Sequence, residues 1–117
     1  MTSDDKLNVL RARLALYRTL IHIRGDVQIS VSDERPNGRH LHAWTIPADA
    51  FLQGPAGTIG IVFYRQSLER QDLHVLAGIL AHEVGHAAID MEAIRNGQWH
   101  DETAADAIQR CLMVVFK

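Results

Sequence analysis

Residues 73–91 read LHVLAGILAHEVGHAAIDM, and the spacing of their apolar positions predicts one continuous helix. Leu73, Leu76, Leu80, Val84, Ala87 and Met91 recur at intervals of three and four, which lays them along one core-facing stripe. Val75, Ile79, His82 and His86 recur at the same intervals on a second face, so the two histidines are expected to look out from the buried seam. Within the helix, His82-Glu83-Val84-Gly85-His86 sets two imidazoles four residues apart, about one turn apart on the same side. Two ring nitrogens so spaced can converge on a single tetrahedral Zn²⁺ at about 2.0–2.1 Å each. Glu83 lies about 100° further round the helix, beside the ion rather than on it. From there it can take a proton from a zinc-bound water whose pKa the ion lowers to about 7. Gly85 costs about 1 kcal/mol of helix propensity relative to Ala, which points to tight packing or access at that position.

Such an arrangement serves metal-assisted hydrolysis, of peptide bonds above all, and a catalytic zinc takes three protein ligands plus water. Glu92 lies six residues after His86, where a metzincin pattern puts its third ligand. That pattern needs a glycine to turn the chain, and Ile89 holds the turn position. Nothing interrupts the helix before Asn96-Gly97, so Glu92 is expected to stay on it as a solvated residue. Glu102 is the better candidate. Asn96-Gly97 supplies a helix stop, Asp101 can cap a second helix, and Ile108, Leu112 and Val115 form its apolar stripe. Glu102 and Asp106 then stand four residues apart on one face. Glu102 would complete the set His82, His86, Glu102, and Asp106 would accept a hydrogen bond from the outer ring nitrogen of a ligand histidine, fixing its tautomer. The plainer reading of both acids is that negative charge is stabilised at a helix N-terminus. His100 and Asp101 are weaker rivals as ligands.

A His-Glu-x-x-His helix followed by a second helix opening with Glu102-Thr103-Ala104-Ala105-Asp106 resembles the gluzincin metallopeptidases. Within that clan the chain is most similar to the small minigluzincins, which resemble the catalytic cores of the membrane-anchored CAAX-type proteases. His42-Ala43-Trp44-Thr45 and the run from Thr58 to Tyr64 are similar to those families' Asn-Ala-Phe-Ala strand and the apolar strand after it. The ImmA-type repressor-cleaving proteases of mobile elements are a second resemblance. The likeness implies a minimal zincin core and a zinc-dependent endopeptidase. His82, His86 and Glu102 would be its metal ligands and Glu83 its general base. His42, Ala43 and Trp44 would lie on an edge strand that pairs with an extended peptide or protein substrate. His42 stands where those families have Asn. The sequence ends at Lys117, so no downstream segment is expected to supply the His, Tyr or Arg that steadies the oxyanion in larger gluzincins. His100, Tyr64 or a water are the candidates for that task.

Composition agrees with one small domain over residues 1–117: 47% of the residues are hydrophobic, enough for a modest core. The net charge of −2 and the scatter of the ten arginines argue against a nucleic-acid partner. A single cysteine, Cys111, excludes an internal disulfide, and its expected role is that of a small buried hydrophobe. The acidic start Met1-Thr2-Ser3-Asp4-Asp5 is no signal peptide, and no apolar run reaches the length of a membrane span, so a cytoplasmic protein with no membrane partner is expected. Ser3-Asp4-Asp5 can cap a helix to about His22, with Leu7, Leu10, Leu14, Tyr17 and Ile21 on one face. Val27 to Val31 alternates as a half-buried strand, Pro36-Asn37-Gly38 marks a turn, and Leu41 to Ile46 is a second strand. Pro47 to Gly57, with two prolines and two glycines, is an irregular loop, and Thr58 to Tyr64 is the third strand. The expected fold class is α+β: an N-terminal helix, a three-stranded sheet, the active-site helix and a C-terminal glutamate helix. Two other readings compete with the peptidase. One is a latent zincin-like protein that binds peptides or a regulatory partner such as a mobile-element repressor at its sheet edge, with residues 111–117 folded back over the cleft. The other is a small interaction protein without metal.

Overall fold

The computed structural model describes residues 1–33, 42–88 and 102–116. The expected turn at Pro36-Asn37-Gly38, the strand start at Leu41, and Ile89, Met91, Glu92, Asn96, Gly97, His100 and Asp101 lie outside these residues. The described elements run α1 (Ser3–Leu20), β1 (Asp26–Ser32), β2 (Ala43–Ile46), β3 (Thr58–Tyr64), α2 (Arg65–Arg70), α3 (Leu73–Ala87) and α4 (Glu102–Val115). This is the α+β arrangement the sequence predicts, with one short helix added.

Helix α1 is capped one residue earlier than expected. Thr2 Oγ1 accepts from the Asp5 N–H, and the Asp5 carboxylate accepts from the Thr2 N–H, each at 3.1 Å. This reciprocal pair satisfies two of the donors that a helix start leaves open. The helix ends at Leu20, with Ile21 as its C-cap, two residues short of His22. Leu7, Leu10, Leu14 and Tyr17 are its buried stripe.

Strand β3 is the centre of the sheet, parallel to β1 and antiparallel to β2. All seven of its residues are buried, which is why it reads as a continuous apolar run rather than an alternation. Ile59, Ile61 and Phe63 share the main core with Ile29, Ala43 and the apolar stripes of α1 and α3. On the opposite face, Phe51 covers Gly60: a Cβ at Gly60 would lie 2.2 Å from the Phe51 ring. Ala50 N–H and Phe51 N–H both donate to the Pro47 carbonyl, a turn that brings the loop back onto this face. Trp44 packs on Tyr64 with ring centroids 5.2 Å apart, also on the face away from α3.

Helix α2 follows β3 without a linker and was not foreseen. Lys6 Nζ donates to the carbonyls of Leu68 and Gln71 at 2.8 and 2.9 Å, so a residue of α1 closes the open end of α2. Helix α3 starts at the cap Asp72, whose carboxylate accepts from Val75 N–H at 2.9 Å. In α4 the buried residues are Ala105 and Leu112, with Ile108 half-buried; Val115 is 55% exposed and Cys111 is exposed. The stripe continues through Phe116 instead of Val115, because a helix carries residue 116 about 40° from Leu112 and residue 115 about 60° to the other side. Phe116 packs on Tyr17 with ring centroids 5.7 Å apart, and Arg13 donates to the Phe116 carbonyl at 2.8 Å. Residues 111–116 therefore run out along α4 and seat on α1. Among the described residues no helix is long and apolar enough to cross a membrane.

Candidate metal centre

The seam between α3 and α4 is set by its smallest residues. A Cβ at Gly85 would lie 2.7 Å from the Ala105 Cα and 3.0 Å from its carbonyl oxygen, so the two backbones touch there. Ala105 is fully buried in this contact. Close approach at Gly85 brings the first turn of α4, with Glu102 and Asp106, over the face of α3 that carries the histidines. Val75, at one end of that face, is exposed, but the His86 end does not look outward as the pattern suggests: His86 is only 7% exposed, because α4 lies across it.

Three side chains from the two helices converge. His82 Nε2 lies 2.6 Å from one Glu102 oxygen, and His86 Nε2 lies 3.3 Å from the other. One ligand atom from each of the three falls within 4.8 Å of the other two. Tetrahedral bonds of about 2.0–2.1 Å separate neighbouring ligand atoms by roughly 3.3 Å, so the group needs only small side-chain adjustments to take an ion. Two imidazoles and one carboxylate are also a donor set that zinc accepts. The imidazole rings stand nearly perpendicular, at 78°, with centroids 4.9 Å apart.

The outer nitrogen of His82 is held as well. Nδ1 lies 3.0 Å from Asp106 and 3.3 Å from Gln109 Oε1. Both acceptors sit on α4 on the same side as Glu102, at offsets of four and seven residues. A proton on Nδ1 leaves Nε2 with its lone pair directed at Glu102 and the site between them. Asp106 was expected at this position. Gln109 was not, although its seven-residue offset from Glu102 was a readable signal.

Glu83, beside these residues, reaches Thr45 on the sheet. It is 7% exposed, and burial pushes its carboxyl up to about 7. A hydrogen bond from Thr45 and the neighbouring His82 pull in the opposite direction, while Glu102 adds to the rise. Thr45 Oγ1 lies 2.6 Å from Glu83 Oε2. The alternation of β2 turns Ala43 and Thr45 toward α3 and turns Trp44 and Ile46 away. Nothing in the residue string identified Thr45 as a partner, since its contact is made 38 residues along the chain.

The strand proposed from resemblance to receive substrate is an edge: β2 pairs only with β3 among the described residues. His42 precedes it, and its Nδ1 lies 2.9 Å from the Ser67 hydroxyl on α2. Its carbonyl accepts from Tyr64 N–H at 3.1 Å, so the backbone of His42 faces inward. Antiparallel pairing alternates, so Trp44 also faces inward, and Ala43 and Thr45 turn their N–H and C=O groups away from β3; both residues are nonetheless buried. The ring of Tyr64, a sequence candidate for the oxyanion, lies with Trp44 on the face away from Glu83. No family model matches the chain, and no curated protein and no solved structure matches it either.

Proposed function

We propose that this protein is a zinc-dependent metalloendopeptidase of the gluzincin type, acting on an extended peptide or protein segment. The observation that supports the reading is the convergence of His82, His86 and Glu102, with the buried Glu83 between the two histidines in sequence. These three residues would hold the ion through His82 Nε2, His86 Nε2 and a Glu102 oxygen. Zinc so bound supplies Lewis acidity, polarising a scissile carbonyl and acidifying water. Glu83 accepts the proton released in attack and returns it to the leaving amine; a carboxyl near neutrality exchanges protons in both directions. Asp106 and Gln109 keep His82 in the tautomer that a ligand needs. The edge strand β2 would pair with the substrate backbone, which orients the peptide with little demand on its side chains. A single, free thiol at Cys111 suits a reducing compartment, and a cytoplasmic location belongs to this reading.

Elemental analysis of purified wild type, His86→Ala and Glu102→Ala tests the metal, and cleavage of a panel of unfolded proteins tests the activity. We expect about one zinc per wild-type chain, none in His86→Ala and weaker retention in Glu102→Ala. Glu83→Gln should keep its zinc and lose hydrolysis by at least a hundredfold, the scale of general-base catalysis. A well-folded wild type that takes up no zinc on dialysis against the metal would sink the reading. So would a Glu83→Gln protein that cuts at the wild-type rate.

A further inference from the structure

We infer that Thr45 is a positioning residue that orients the carboxylate of the general base, Glu83. The inference rests on the peptidase reading above and assigns to it a residue that neither the motif nor the ligand cluster contains.

The hydroxyl is built into place. Thr45 is 3% exposed, and its Oγ1 lies 2.6 Å from Glu83 Oε2 and 3.1 Å from the main-chain carbonyl of the same residue. A hydroxyl has one proton, and the shorter contact to the carboxylate takes it. With Oε2 bonded in this way the plane of the carboxylate is set and Oε1 is left as the oxygen that receives the proton. The β-branched side chain of threonine restricts χ1, so the hydroxyl has little freedom to turn elsewhere.

Thr45 is itself fixed by the sheet: β2 pairs with β3 from Ala43 to Ile46, so the hydroxyl is carried on a strand and not on a loop. Catalysis is sensitive to displacements of about 1 Å in such groups.

Three variants separate this role from a packing role. Thr45→Val keeps the volume and loses the hydroxyl, and Thr45→Ser keeps the hydroxyl and loses the methyl. If Thr45→Val does not fold, Thr45→Ala compared with Thr45→Ser isolates the same hydroxyl. Each is measured for zinc content, for kcat and KM on an unfolded substrate, and by crystallography of the metal-free form. We expect full zinc occupancy in all, KM within about twofold of wild type, and kcat lowered at least tenfold in Val or Ala but within about threefold in Ser. The Glu83 carboxylate should keep its position in Ser and leave it in Val or Ala. Equal kcat in the Val (or Ala) and Ser variants, or an undisplaced Glu83 without the hydroxyl, would overturn the inference while leaving the peptidase reading intact. A wild type that binds zinc and cuts no peptide would remove the peptidase reading and this inference with it.

Discussion

At the scale of single residues, the protonation of Glu83 is governed by opposing neighbours. Burial raises its pKa from the ordinary 4.5 to about 7, against the pull of Thr45 and His82. A carboxyl whose folded pKa is raised binds its proton in the folded state at pH values where the unfolded chain has released it. Its contribution to stability is therefore full below pH 4.5 and is lost as pH rises through about 7. Glutamine has the shape of the protonated acid and does not titrate. In metal-free protein we expect Glu83→Gln to melt close to wild type near pH 4.5, to gain on it up to about pH 7, and to hold a constant advantage above that. Thermal melts of both proteins in chelator across this range check it, and a difference independent of pH would refute the buried placement of the carboxyl. The two histidines and Glu83 were legible in the string because the helical repeat alone relates them in space. Thr45 was not, because its role depends on which strand lies opposite the helix.

At the scale of elements, the crossing of α3 and α4 depends on Gly85. Alanine there gains about 1 kcal/mol of helix propensity. Its Cβ would also lie 2.7 Å from the Ala105 Cα, a collision with backbone that only a shift of α4 relieves. Overpacking of this kind costs about 1–3 kcal/mol. Gly85→Ala should thus be destabilised in denaturant unfolding. Glu102 is three residues from Ala105, so the same shift should weaken zinc retention in competition with a chelator by about tenfold or more. A Gly85→Ala protein more stable than wild type would show that the helices are not in this contact. The expectation of tight packing at Gly85 came from its cost in a helix, and the partner backbone at Ala105 came only from the fold. Helix α2 illustrates the reverse case. Six residues carry too little periodicity to be read from sequence, and its C-terminal carbonyls are satisfied by Lys6 from another element.

At the scale of the molecule, the proposed ligands belong to two helices separated in the chain and joined only by folding. An ion that they bind is bound by the folded state alone, and its binding energy adds to stability. At a zinc concentration a hundredfold above Kd the gain is about 2.7 kcal/mol, a rise in Tm on the order of 10 °C for a domain of this size. Melting with zinc and with chelator should show this shift in wild type and not in His86→Ala. A shift of equal size in His86→Ala would move the site elsewhere. The α+β class, the three strands, the four-residue spacing of His82 and His86 and the pairing of Glu102 with Asp106 are properties of local sequence, because periods of two and of 3.6 residues express themselves within a few turns. The burial of His86 under α4, the contact of Thr45 with Glu83, the outward exposure of Val115 and Cys111, and the seating of Phe116 on Tyr17 were decided by tertiary structure. Each depends on which surface packs against which, and that is set by the whole core and by no single stretch of the chain.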